Sequence, residues 1–212
     1  MKTNYLLLAL FVLTFTTTLQ AQSYLPTKQA FSFGGSMAKS LSECKGDYMD
    51  LAGKPLCYNL NAEYRYYLVP SFAIGAAYDY IGSSRNNDKL NCHYIAPTLT
   101  LRGLWANGKQ GFWCNGGVGY LYYSDKIHDG RYETGSFEKG YFACSIGLGY
   151  EFALSQGFGM QIKANFIMAD WHFNDNYEHK YSRYHPDEYE YQKVLDNNLS
   201  YFTLGIALVL GK

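Results

Sequence analysis

Between Cys57 and Leu68 the chain reads C-Y-N-L-N-A-E-Y-R-Y-Y-L. Taken at every second residue, one side is Tyr58, Leu60, Ala62, Tyr64, Tyr66 and Leu68, and the other is Asn59, Asn61, Glu63, Arg65 and Tyr67. A strand sends successive side chains to opposite faces, so this segment predicts a strand with one greasy, aromatic face and one face carrying paired charge.

Seven more segments repeat the period. Ala30–Ala38 is the hardest to register because Gly34-Gly35 interrupts it. Phe72–Ile81 sets Phe72, Ile74, Ala76, Tyr78 and Tyr80 against Ala73, Gly75, Ala77 and Asp79. His93–Trp105 sets Ile95, Pro97, Leu99, Leu101 and Trp105 against Tyr94, Ala96, Thr98, Thr100 and Arg102. Phe112–Tyr123, Tyr141–Leu154, Phe158–Met168 and Leu199–Leu210 complete the set, with Glu151 and Lys163 on their polar faces. Connections alternate. Val69-Pro70-Ser71, Asn107–Gly111 and Ser155-Gln156-Gly157 are tight turns, whereas residues 39–56, 82–92, 125–140 and 173–198 read as long polar loops. Short turns on one side and long loops on the other are the pattern of outer-membrane barrels. Eleven strand residues at ~3.3 Å, tilted ~40°, rise about 28 Å, which suits an apolar band of ~25 Å.

The start of the chain predicts export. Lys2, the apolar run Tyr5–Phe15 and a polar exit to Ala21 form a signal peptide over residues 1–21, leaving roughly 190 residues as one domain over 22–212. Lys plus Arg equals Asp plus Glu at 18 each, so no net field draws in nucleic acid. Twenty-two Tyr, 13 Phe and 21 Gly favour strands and turns. No later stretch is long and apolar enough to span as a helix, so a membrane location requires a closed barrel.

The orientation of the faces separates a membrane barrel from a soluble lipocalin-like one, whose outer face is charged. Here the polar face is small and sparsely charged. The apolar face carries rings near the strand ends, Trp105, Phe112, Phe152 and Phe158 by the short turns and Tyr80 and Tyr122 by the loops, as two membrane interfaces require. The expected fold is therefore an all-β, eight-stranded antiparallel up-and-down transmembrane β-barrel. Glu63, Arg65, Asp79, Arg102, Glu151 and Lys163 then point inward, three of each sign, and are expected to pair, because an unpaired desolvated charge costs several kcal/mol. Eight strands enclose a space that side chains fill, so an open porin channel is not expected.

Signal, eight alternating strands, alternating connection lengths and a closing terminal strand resemble the small outer-membrane β-barrel superfamily, the OmpA/OmpX-like or porin-family barrel domain. The threonine-rich signal ending Ala21-Gln22 and the tyrosine excess resemble Bacteroides-type versions. The resemblance spans nearly all of the mature chain and implies insertion by the barrel insertion machinery, contact with outer-membrane lipid and a monomer at the cell surface. One departure stands out. Such barrels usually end on an aromatic residue, and this chain ends Leu210-Gly211-Lys212. No periplasmic peptidoglycan-binding domain is expected after the barrel segment.

Candidate chemistry is sparse. Some eight-stranded barrels modify lipid A with a His, a Ser and a carboxylate near the outer rim. His172, His179, Ser182, His185, Asp187 and Glu188 share the last loop, but no His-x-Ser pair falls on a strand. The histidine spacings match no closed metal site. Neither catalysis, a cofactor nor a metal is expected. Tyr177, Tyr181, Tyr184, Tyr189 and Tyr191 in that loop form a candidate contact surface for an extracellular partner, since tyrosine joins large contact area to a polar tip. Cys44 and Cys57 bracket the first loop as a candidate disulfide in an oxidising compartment, with Cys92 as the alternative partner of Cys57. Cys114 and Cys144 read as small fillers of the lipid face. The expected function is structural or interactive at the surface, in envelope integrity, adhesion or partner binding. A narrow passive pore and a lipid A-modifying enzyme are the alternatives.

Overall fold

The computed structural model describes residues 24–41, 56–85, 88–129, 132–178 and 199–212. Eight strands follow one another in chain order: β1 Gln29–Ser40, β2 Leu56–Val69, β3 Phe72–Arg85, β4 Asp88–Trp105, β5 Gln110–Asp129, β6 Tyr132–Ser155, β7 Phe158–Glu178 and β8 Leu199–Gly211. Each pairs antiparallel with its neighbours, and β1 pairs with β8 from Ala30↔Gly211 to Ser40↔Tyr201 to close the barrel.

The turns follow from their residues. Between β4 and β5, Ala106, Asn107 and Gly108 have φ of 51°, 56° and 72°. Three successive left-handed residues are tolerated because asparagine and glycine adopt that region at little cost. Gly157, at φ 73°, does the same between β6 and β7. Pro97 pairs opposite Ala76 on β3, while the pairing of β4 with β5 skips Ala96 and Pro97, so its missing N–H falls where that ladder is interrupted.

Burial settles the faces. Along β2, Cys57, Asn59, Asn61, Glu63, Arg65 and Tyr67 are buried, while Tyr58, Leu60, Tyr64, Tyr66 and Leu68 are exposed. Phe33, Ile95, Leu99, Leu101, Ile146, Ile206 and their like are likewise the exposed residues. The polar side is the inside and the apolar side is the outside. In water this arrangement would expose a continuous apolar wall, so it is stable only with hydrocarbon around it. The barrel crosses with strands; among the described residues no helix is long and apolar enough to do so. β1 runs through Gly34-Gly35 without a break, with Phe31, Phe33 and Met37 outward and Ser32 inward.

Two expected loops are corrected. Residues 82–92 and 125–140 are mostly strand: β3 and β4 pair to Arg85↔Asp88, and β5 and β6 to Asp129↔Tyr132. β7 likewise continues to Glu178. These stretches are polar and rich in turn-forming residues, which reads as loop, yet backbone pairing continues through them. The loop at 39–56 and the remainder of the last loop fall largely outside the described residues.

Long inward side chains rest on small neighbours. Gly149 lies beneath Trp113, and a Cβ there would sit within the indole's contact radius. Gly149→Val is therefore expected to destabilise the barrel by about 1–3 kcal/mol through overpacking. The temperature at which the compact gel band converts to the unfolded one should fall, and an unchanged conversion would show that Trp113 relocates freely.

Candidate functional site

The interior has three levels. At its centre Arg65, only 1% exposed, reaches from β2 into the lumen. Its Nε donates to Glu63 Oε1 at 3.0 Å, its Nη2 donates to Glu63 Oε2 and to Gln161 Oε1 at 3.0 Å each, and its Nη1 donates to Glu151 on β6. The guanidinium carbon lies 4.4 Å from the centroid of the Trp113 ring. Asn115 Nδ2 donates to Glu63 Oε1 at 3.0 Å. Arg102 on β4 approaches Glu151 to 3.6 Å, an ion pair too long to count as a hydrogen bond. β2, β4, β5, β6 and β7 are thus tied across the lumen by one cluster.

Four of the six expected inward charges, Glu63, Arg65, Arg102 and Glu151, come together in this cluster. Asp79 and Lys163 point inward but are not joined to it by ion pairs. Asp79 accepts from Asn59 Nδ2 at 3.0 Å, in a chain that continues through Asn61 and Ser36. Lys163 is buried, with the charges of Glu63 and Asp79 near enough to act on it, and makes no hydrogen bond or ion pair among the described residues.

Toward the short turns the lumen is closed by a segment that sequence periodicity does not reveal. Residues 24–28 precede β1 and fold across the barrel's end. Leu25 is buried against the inward positions of Gly111 and Gly159. Its N–H donates to Gly108 O at 2.9 Å, Gly157 N–H donates to Tyr24 O at 2.9 Å, and Arg102 Nη2 donates to Pro26 O at 2.7 Å. The backbone N–H groups of Thr27, Lys28 and Gln29 all donate to Lys212 O, at 3.1, 2.7 and 3.0 Å. The strap ties the entry of β1 to the exit of β8. The one signal for it was an apolar Tyr24-Leu25-Pro26 ahead of the first strand.

Toward the opposite end the interior is apolar. Ile81, Tyr94, Leu121, Tyr123, Tyr141, Ile167, Leu199 and Tyr201 pack together with Cys57 and Cys92. Tyr94 donates to Ser145 Oγ at 2.9 Å, and the Tyr201 hydroxyl lies 3.2 Å from Cys92 Sγ. No two described cysteines are bridged to one another. Cys44, the other half of the expected Cys44–Cys57 disulfide, lies outside the described residues. Cys114 and Cys144 fall on the outer face.

The candidate contact tyrosines Tyr181, Tyr184, Tyr189 and Tyr191 lie outside the described residues. Tyr177 lies on β7, opposite Phe137. His179, Ser182, His185, Asp187 and Glu188 are also outside, and no cluster of three metal-ligating side chains occurs among the described residues.

A filled lumen of this kind tolerates removal of the whole ion cluster better than removal of one member. Arg65→Met leaves Glu63 and Glu151 desolvated without their main partner and is expected to cost about 3–5 kcal/mol. The triple change Arg65→Met, Glu63→Gln, Glu151→Gln should recover most of that loss. Urea unfolding in detergent micelles measures both, and equal losses in the two variants would show that charge pairing is not the reason for the cost.

No family model and no curated protein sequence matches the chain. Solved structures do. Neisserial surface protein A matches with a TM-score of 0.60 at 7% identity, covering 87% of this chain and 97% of that one. Ail, the attachment invasion locus protein of Yersinia pestis, matches in its complex with the heparin analogue sucrose octasulfate with a TM-score of 0.51 at 14% identity, covering 88% of this chain and 100% of that one. At these identities the likeness is one of fold. With closure, strand number and the inverted faces established independently, the chain has an eight-stranded, up-and-down transmembrane barrel fold like that of these two proteins.

Proposed function

We propose that the protein is a bacterial outer-membrane barrel whose role is to present a surface outside the cell. The short turns and the strap face the periplasm, and the long hairpins face out. The observation that carries this reading is a lumen filled at all three levels while the strands rise well beyond the membrane. The twelve steps from His93 to Trp105 already rise about 30 Å at ~3.3 Å each and a tilt of ~40°. β5 and β6 go on pairing to Asp129↔Tyr132, and β7 stays paired with β6 to Glu178. The last β7 residue paired with β8 is Ala169. Among the described residues, the rest of β7 therefore has one strand neighbour and an edge turned outward. An edge strand with tyrosine-rich sequence beyond it is suited to holding a partner through backbone and aromatic contacts. The two structural neighbours support the reading, one by being a surface protein and the other by being an attachment protein solved with a sulfated sugar.

A pore is the second reading, and the packed ion cluster argues against it. For the lipid A-modifying alternative, His172 lies on β7 opposite Tyr141, and the other residues weighed for it fall outside the described residues.

The test is labelling of intact cells by a membrane-impermeant thiol reagent, using Tyr184→Cys and Leu99→Cys in an otherwise cysteine-free chain. Tyr184→Cys should label and Leu99→Cys should not. The reverse would make the assembly a soluble periplasmic barrel. Planar-bilayer recordings should show no steady steps, and reproducible steps would favour the pore.

A further inference from the structure

The strap from Tyr24 to Lys28 decides where the chain ahead of it meets the barrel. Tyr24 O accepts from Gly157 N–H at 2.9 Å, and Leu25 N–H donates to Gly108 O at 2.9 Å, so both residues are pinned to the short-turn end. Leu25 is buried whereas Tyr24 is 40% exposed, so the chain passes from solvent into the lumen between them. Gln22 lies two positions ahead of Tyr24 and outside the described residues. A residue spans at most ~3.6 Å, so Gln22 lies within about 7 Å of Tyr24 along the chain.

This end of the barrel carries side-chain charge of one sign. The segments 22–29, 68–72, 103–112, 153–158 and 210–212 hold Lys28, Lys109 and Lys212 and no Asp or Glu. All three lysines are exposed, and Lys109 Nζ lies 4.8 Å from the centroid of the Tyr24 ring. None of them joins an ion pair among the described residues. The first carboxylate along β6, Glu151, is buried in the lumen beside Arg65 and Arg102. An α-ammonium added next to Tyr24 would therefore meet cations and no carboxylate side chain, and like charges nearby favour its neutral amine.

Glutamine can remove such a charge without a partner, because its own side-chain amide lies within reach of the α-nitrogen. The neutral amine is the form that attacks, and closure gives a lactam ring of the size of a proline ring. The leader expected over residues 1–21 places Gln22 at the start of the mature chain.

We propose that Gln22 is closed to a pyroglutamyl ring after export, so that the strap begins on a neutral group with no free amine. The α-nitrogen attacks the side-chain Cδ and forms the lactam C–N bond. The Cδ–Nε2 bond breaks, and Nε2 leaves as ammonia with the proton given up by the α-nitrogen. No electrons are transferred. An aminopeptidase needs the free α-amine, so the ring protects the strap from trimming, and with it the amides of Thr27, Lys28 and Gln29 that hold Lys212 O. The proposal rests on the expected leader and is independent of the surface role above.

The experiment uses the full chain with its leader, expressed for export and purified from membranes. Trypsin cleaves after Lys28, and mass spectrometry reads the peptide that precedes the cut. An isotope-labelled linear peptide of residues 22–28 goes through the same work-up and measures ring closure during handling. The protein's peptide should begin at residue 22, be lighter than the linear sequence by one ammonia, and be closed to a far greater extent than the labelled standard. A mainly linear peptide beginning at Gln22, or closure no greater than in the standard, overturns the modification. A first residue other than Gln22 shows instead that the leader boundary is misplaced, and the proposal falls with it. Gln22→Ser, checked for the same first position and for the heat-shifted gel band of a folded barrel, gives a second readout. An added aminopeptidase should shorten this variant and leave the wild type whole, and equal behaviour of the two overturns the protective role.

Discussion

In hydrocarbon no backbone N–H or C=O can be left without a partner, and the pairing of β1 with β8 is how this chain meets that constraint. Eleven register pairs join them, from Ala30↔Gly211 to Ser40↔Tyr201. Once the sheet closes, every residue is committed to one of two solvents, lipid outside or the lumen inside. The outer wall of Phe33, Leu99, Ile146, Ile206 and their neighbours then follows from lipid, and the inner wall from the narrow circumference of eight strands. The strap from Tyr24 to Lys28 belongs to the same constraint. Closure brings the chain's entry and exit together at the short-turn end, and the three amides that converge on Lys212 O fasten that junction where water could otherwise fray it.

The lumen is costly ground because it is neither water nor lipid. Burying Arg65, Glu63 and Glu151 would be unfavourable singly, and their arrangement shows how the cost is offset. Arg65 donates to both carboxylates and to Gln161, stacks on Trp113, and shares Glu63 with Asn115. Glu63 Oε1 accepts from Arg65 and Asn115 and its Oε2 from Arg65, while Arg65 reaches on to Glu151 and Gln161, so the cluster fixes the relative rotation of β2, β5, β6 and β7. A register slip of one residue would turn these charges into lipid, which makes the cluster a specificity device as much as a source of stability.

Most of the fold was legible because the burial period coincides with the backbone period. The inward set of β2, the outward rings Trp105 and Tyr122, and the eight-strand count could all be read from alternation alone. Alternation failed where its cause was missing. Beyond Tyr80, His93 and Tyr122 the residues at 82–92 and 125–140 are mostly polar or turn-forming, so they looked like loops although their backbones pair. At the outer lumen both parities are apolar, as with Leu121 beside Tyr120 and Tyr122, which hid a packed aromatic layer. The strap is not periodic at all. Of the six inward charges, parity placed every one, but which would pair depends on distances across the lumen between strands far apart in sequence: Arg65 and Glu151 meet across 86 residues. Lys163 shares their parity and does not join them.

The division of labour along the barrel axis explains why place could be read and purpose could not. Below the Tyr80–His93–Tyr122 row nearly every side chain is assigned by solvent, and substituting one changes stability. Above it the chain is released from that assignment while remaining attached to a rigid, filled support. A lumen packed with Arg65, Trp113, Tyr94 and Tyr201 holds the hairpins β3–β4 and β5–β6 at a fixed height and rotation, so under the proposed surface role a partner would meet a prepositioned edge and lose less ordering entropy on binding. Function in such a molecule resides in the few residues whose position is fixed by the barrel but whose identity the barrel does not dictate.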